Sequence, residues 1–202
     1  MANYHQGNRE LQDRFDTRRL ADRLDDVIVN ETIGPSDAAF INSLDHFFLA
    51  TVDPDGMPTV SYKGGAAGFV RVLNDRTLAF PNYNGNGMYL SMGNVLDNGN
   101  VGMLFIDWEK GHRLRVQGAA SIDYDDELMP EYPEAQFIVR VSTTAVFPNC
   151  PRYIHRMQPK EASPFVPREG RRTPVPGWKR SDWAADVLPA GDPALDPEAP
   201  IV

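Results

Sequence analysis

The chain has 202 residues, 42% of them apolar, enough for one domain with a sizeable core. Its 28 acidic residues outnumber 20 basic ones, for a formal charge of −8, which argues against a nucleic-acid binder and against docking on anionic membranes. A single cysteine, Cys150, excludes an intrachain disulfide and suits a reducing compartment.

The first residues are polar, with no signal-peptide core, and no apolar run approaches the roughly 20 residues that span a bilayer. The expected location is cytoplasmic. Residues 8–29 predict one amphipathic helix, with Leu11, Phe15, Leu20, Leu24, Val27 and Ile28 on one face. Gly34-Pro35 breaks the chain, and Ser36 is the expected N-cap of a second helix through Leu44. Its buried side would be Phe40, Ile41 and Leu44.

The pattern then turns to strands. Phe47 to Val52 and Pro58 to Tyr62 flank the turn Asp53-Pro54-Asp55-Gly56 and predict a hairpin. Gly64, Gly65 and Gly68 interrupt. Further strands are expected at 69–73, 77–80, 101–107, 113–122 and 135–147. Six or seven short strands with one inserted helix suggest a closed antiparallel barrel, mainly β with peripheral helices.

Between the strands at 77–80 and 101–107 lies the stretch the chain is organised around, residues 81–95. Gly85 and Gly87 are expected to take positive φ, ahead of a helix at about 88–97. Pro81, Asn82, Asn84, Asn86, Ser91 and Asn94 surround them with neutral groups. The stretch reads either as a polar surface turn or as an anion site at a helix start. From Pro159 to Val202 the chain holds nine of its 17 prolines, so periodicity is lost there. That tail reads either as a disordered appendage or as an arm across a partner subunit, with Trp178 and Trp183 favouring the arm.

The order of these pieces resembles the pyridoxamine 5′-phosphate oxidase-like FMN-binding split barrels, over about residues 40–157. The residues carrying the resemblance are Phe48 to Pro58, Ser61-Tyr62-Lys63-Gly64-Gly65, Gly68 to Leu73, Gly85-Asn86-Gly87 with Ser91 and Asn94, Arg113 to Ala119, and Phe147 to His155. The resemblance implies a six- or seven-stranded antiparallel split β-barrel at 46–157, after an N-terminal helical segment at 1–45 and before a Pro-rich arm at 158–202. It also implies a homodimer with FMN at the interface and a small-molecule substrate. Genuine pyridoxamine phosphate oxidases carry a Ser-Arg-Lys phosphate grip where this chain has Asn84-Gly85-Asn86. Their C-terminal Arg and His motif is missing too, so vitamin B6 oxidation is not expected.

Lys63 is read either as a solvated strand-end lysine or as a donor to the reduced flavin, with the ring lying against Gly64-Gly65. Arg113 and Arg115 share one face of a strand, to hold a phosphate or to pair with Asp107 and Glu109. Arg152 and His155 would reach a substrate carboxylate or the partner's cofactor. Cys150 is expected to be a small buried hydrophobe rather than a nucleophile. The other histidines are scattered, without metal-ligand spacing, and no Gly-x-Gly-x-x-Gly opens a helix. The expected function is an FMN-dependent oxidoreductase. The alternatives are a flavin-binding shuttle without turnover and a barrel that takes the deazaflavin F420.

Overall fold

Seven strands form one antiparallel sheet in the order β2-β1-β5-β6-β7-β4-β3. The computed structural model describes residues 4–150, 152–158 and 161–202. The strands are β1 (His46–Val52), β2 (Pro58–Gly64), β3 (Arg71–Asn74), β4 (Thr77–Tyr83), β5 (Asn100–Asp107), β6 (His112–Asp123) and β7 (Ala135–Pro148). β2 and β3 are the sheet's two edges, so the barrel is split and not closed as the strand count alone suggests. Helix α4 (Leu90–Asp97) connects β4 to β5 and packs on β1, β2 and β6.

Local chemistry explains most of these elements. In the β1–β2 turn the Asp53 carboxylate accepts the N–H groups of Asp55 and Met57, at 3.0 and 2.8 Å. Along β6, Leu114, Val116, Gly118 and Ala120 are buried while Arg115, Gln117 and Ala119 are exposed, as period-two alternation requires. Gly118 is needed because a Cβ there would lie 2.3 Å from the Ser142 carbonyl, where β6 crosses β7 at a bulge. Inside the sheet, Phe47 is fully buried and its ring meets Phe69, Phe80 and Phe105 at centroid distances of 5.9, 5.0 and 5.4 Å.

The N-terminal expectations need correction. The expected single helix is two, α1 (Gln6–Arg14) and α2 (Arg18–Ile28), because Asp16 turns to a φ of +52° between them. Their stripe of Leu11, Phe15, Leu20, Leu24 and Val27 is exposed and does not face the core. Helix α3 (Pro35–Ser43) is capped by Gly34 rather than Ser36, since Pro35 already fits the first helical position. Ile41 is buried, with Phe40 and Leu44 partly so.

The tail is neither extended nor featureless. Val175, Ala194 and Ala199 make a small core of their own, with Leu188 against it. The Arg180 guanidinium donates to the carbonyls of Ala194, Asp196 and Ala199. Trp178 and Trp183 stack on each other at 5.6 Å, and Trp183 is mostly exposed. No helix among the described residues is long and apolar enough to cross a membrane.

Candidate functional site

A cavity of about 370 Å³ opens at the split, between β2 and the connection from β4 into α4. Cross-strand register decides which side chains face it. Thr59 and Ser61 of β2 oppose Thr51 and Leu49 of β1, on the face covered by α4. The hydroxyls of Thr51 and Thr59 lie 2.9 Å apart, and the Asn94 amide donates to Thr51 at 3.0 Å. Ser61 and Ser91 hydroxyls meet at 3.0 Å, closing α4 onto the edge strand. Lys63, one pleat further along, shares this face.

Lys63 is half-buried, and no hydrogen bond or ion pair joins its ammonium to any described residue. Burial alone pushes its pKa below the ordinary lysine value. A cation held partly out of water without a counter-charge is unfavourable unless something anionic compensates it.

The far wall is built by a bulge. Asn82 of β4 pairs with Phe137 and Tyr83 with Ala135, so Gln136 is the extra residue on β7. Its side chain braces two lining residues, accepting from the Asn82 amide at 2.9 Å and donating to the Tyr89 hydroxyl at 2.9 Å. Tyr89, just before α4, has a φ of +50°, a strained value for a bulky residue, and this bond helps hold it. Gly87 takes a φ of +80° as expected, whereas Gly85 does not take a positive value. The Asn86 side-chain Oδ1 accepts from the Met88 N–H at 3.0 Å, shaping the turn. Burial pushes the Tyr83 phenol up to about 12, with smaller contributions from Tyr132 and Glu134, so it stays a neutral donor.

A second, smaller recess of about 240 Å³ adjoins the first and shares Tyr83, Gly85 and Asn86 with it. Its outer wall is the tail. The Lys179 ammonium bonds the Asp192 carboxylate at 2.6 Å and the Asn84 side-chain oxygen at 3.2 Å, which docks the tail on the central turn. Burial opposes the charge on Asp192, but Lys179, the Ala194 N–H and Asn84 hold its carboxyl below the ordinary value.

Of the residues expected at the site, the cavity brings together Ser61, Lys63, Asn82, Asn86, Gly87 and Ser91. Asn84 faces the adjoining recess. Pro81 lies within β4, and Gly64 and Gly65 do not offer bare backbone. A Cβ at Gly64 would meet the Tyr62 ring at 2.8 Å, and one at Gly65 the Phe69 ring at 2.4 Å.

Arg115 pairs across β5 with Leu104, which pairs with Phe48 and then Tyr62, so Arg115 shares the sheet's outer face with Tyr62. Arg113 lies on that face too, opposite to Lys63. The alternative reading for Arg113, pairing with Asp107 and Glu109, is not what the described contacts show. Its guanidinium donates instead to the Cys150 carbonyl, while Lys110 pairs with Asp107. Arg115 lies over the Phe147 ring at 5.9 Å. Arg152 donates to the Cys150 sulfur at 3.1 Å. That thiol is exposed rather than buried, and its bond from Arg152 lowers its pKa. His155 is exposed. His46 is locked: the Trp108 indole N–H donates to its Nε2 at 2.8 Å, leaving the ring proton on Nδ1 toward Asp45 at 2.6 Å.

A family model described as pyridoxamine 5′-phosphate oxidase matches residues 34–165. The chain belongs to that family. No curated protein matches it. Among solved structures, similar ones include HupZ of Group A Streptococcus, 22% identical, with a TM-score of 0.47 over 57% of this chain and 93% of that one. A Lactobacillus delbrueckii protein, provisionally described as a pyridoxamine 5′-phosphate oxidase, is 22% identical, with a TM-score of 0.49 over 58% and 95%. An FMN-binding protein of Syntrophomonas wolfei is 12% identical, with a TM-score of 0.45 over 69% and 97%.

Within the pyridoxamine 5′-phosphate oxidase family, this member lines its cavity with one lysine that has no partner among the described residues, a set of neutral amides and hydroxyls, and the apolar Val60, Met88, Leu90 and Met92. Sequence reasoning missed Thr59, Tyr83, Tyr89 and Gln136. For Gln136 no sequence signal exists, because a bulge is set by register. Lys179 and Asp192 were missed for the same kind of reason, lying 95 and 108 residues from Asn84.

Proposed function

We propose that the cavity holds FMN and that the protein is an FMN-dependent oxidoreductase acting on a small molecule. The observation carrying this reading is Lys63: a half-buried ammonium without a partner among the described residues, facing a cavity otherwise lined by neutral polar and apolar groups. Membership of the family supports a flavin as the anion that completes it. In this reading Lys63 supplies the cation, toward the phosphate or toward the reduced ring. Ser61, Ser91, Asn82 and Asn86 give the neutral hydrogen bonds, and Gly87 gives close backbone approach. Bound there, FMN would supply hydride or electron transfer; the protein's part is orientation and charge.

The assembly proposed is a homodimer, with a helical segment at 1–45 and a Pro-rich arm at 158–202 flanking the barrel domain at 46–157. Its interface would be the outer face of β2, β1, β5 and β6, where Phe48, Val60, Tyr62 and Leu104 form an apolar surface beside Arg113 and Arg115. Val60 and Tyr62 are 70% and 61% exposed in the single chain, more than strand residues of their type need. Across that interface the two arginines, and Arg152, would approach the partner's flavin. The proposed address is cytoplasmic. Titrating the apo-protein with FMN tests the reading: saturation at one FMN per chain, followed by bleaching of the flavin bands on adding a reduced nicotinamide, supports it. Tight binding without turnover would make the protein a flavin shuttle, and no binding would reject the site.

A further inference from the structure

The recess under the tail has a composition that names a ligand class. Its walls are apolar, with Phe165, Trp178, Pro167, Pro174, Pro176 and Pro193 around about 240 Å³. That is below the roughly 300–1,000 Å³ of drug-sized sites, so the ligand is small. The two buried charges cancel, Lys179 and Asp192 being 6% and 8% exposed and 2.6 Å apart, and the exposed Glu134 adds a carboxylate to the lining, which disfavours an anion further. A charged ligand would have to break this pair or remain uncompensated.

What the recess has left over is donors. The Lys179 ammonium has three N–H groups and uses two, on Asp192 and Asn84. Tyr83 has a neutral phenol, with no hydrogen bond to any described residue. Thr173 lines the recess, and its buried hydroxyl also lacks a partner among the described residues. A turn of about 120° about χ1 would carry that hydroxyl to the position the methyl group now holds. An unpartnered buried hydroxyl is destabilising in the free protein, which makes it notable.

We propose that this recess is the substrate pocket of the flavin site and takes a small, neutral, ring-bearing molecule with an acceptor oxygen, an aromatic or quinonoid carbonyl compound. The assignment rests on the flavin reading above. Shared walls at Tyr83, Gly85 and Asn86 put such a ligand beside the cavity proposed for FMN. The Pro-rich tail thereby becomes part of the binding machinery and not an appendage.

The test is calorimetric titration of the full chain, with and without FMN, using 2-methyl-1,4-naphthoquinone and its anionic counterpart 1,4-naphthoquinone-2-sulfonate. The parent should bind one neutral quinone per chain and the sulfonate about tenfold more weakly. Thr173→Val and Phe165→Ala should each weaken the quinone about fivefold, the effect of one ordinary hydrogen bond or a lost apolar wall, without changing FMN affinity. Thr173→Val should also leave the melting temperature equal or higher, because it removes an unpartnered hydroxyl; a merely structural threonine would lower it. Unchanged quinone affinity in both variants, or equal binding of the sulfonate, overturns the proposal. If FMN binds and the quinone does not, the recess is wrong and the flavin site stands. If the quinone binds with this pattern and FMN does not, the tie to a flavin reaction is wrong.

Discussion

Replacing Lys63 by methionine keeps an unbranched apolar stem and removes the charge. The structure fixes the expected sign for both states of the protein. In the free chain the ammonium is half-buried and has no partner among the described residues, and burial pushes its pKa down, so the charge is a cost there. Lys63→Met should leave the stability of the apo-protein unchanged or slightly higher. With FMN bound, the same change removes a charge-assisted contact, and hydrogen bonds to charged groups contribute about 1.5–3 kcal/mol. The Kd should therefore rise roughly ten- to hundredfold. Fluorescence titration of apo-protein with FMN measures the affinity, and a thermal melt of the same sample measures stability. A Kd within threefold of the parent, or a melting temperature lowered in the apo-protein, would refute the reasoning and return Lys63 to a structural role.

Because burial depresses the Lys63 pKa, FMN affinity should be full below that depressed value and fall, by up to a decade per pH unit, as pH rises through it toward 10.5; the Lys63→Met profile should be flat. Over the same window the apo-protein's stability should rise with pH, since the folded state sheds the proton first. Phe47→Ala, at a fully buried position among three other rings, should cost about 3–5 kcal/mol and lower the melting temperature by roughly 6–20 °C in a chain of this size. Val60→Glu puts a charge on the exposed outer face; light scattering should show a monomer whose fold is intact by circular dichroism, and a persistent dimer would move the interface elsewhere. Lys179→Ala leaves Asp192 buried without its cation, so proteolysis should remove the tail faster while the barrel resists; an unchanged digestion pattern would mean the tail docks by other contacts.

The strands were legible because their sequences alternate and their turns carry Asp, Asn and Gly at positions that demand them. β6 is the clearest case, and its alternation also places Arg113 and Arg115 on the outer face. The face of β2 was not legible. Val60 and Tyr62 are its apolar residues and Ser61 and Lys63 its polar ones, so alternation alone would bury the former. The structure does the reverse, because the inner side of this edge strand faces the polar underside of α4 and the cavity, while its outer side is left apolar. The same reversal separates Lys63 from the two arginines with which the sequence grouped it. Helical period was legible in residues 6–28, but not the absence of a surface beneath the stripe. Docking of the tail on Asn84 depends on the pairing of Lys179 with Asp192, and a basic and an acidic residue 13 apart in a Pro-rich segment carry no such signal.

The central claim is that the cavity between β2 and the β4–α4 connection takes FMN. Mass spectrometry of the intact, non-denatured protein, purified without added cofactor and then incubated with equimolar FMN, F420 and haem, tests it most directly. The parent should carry one FMN per chain and Lys63→Met little of it. A complex with F420 or haem in preference to FMN, or FMN retained equally by both proteins, would contradict the claim.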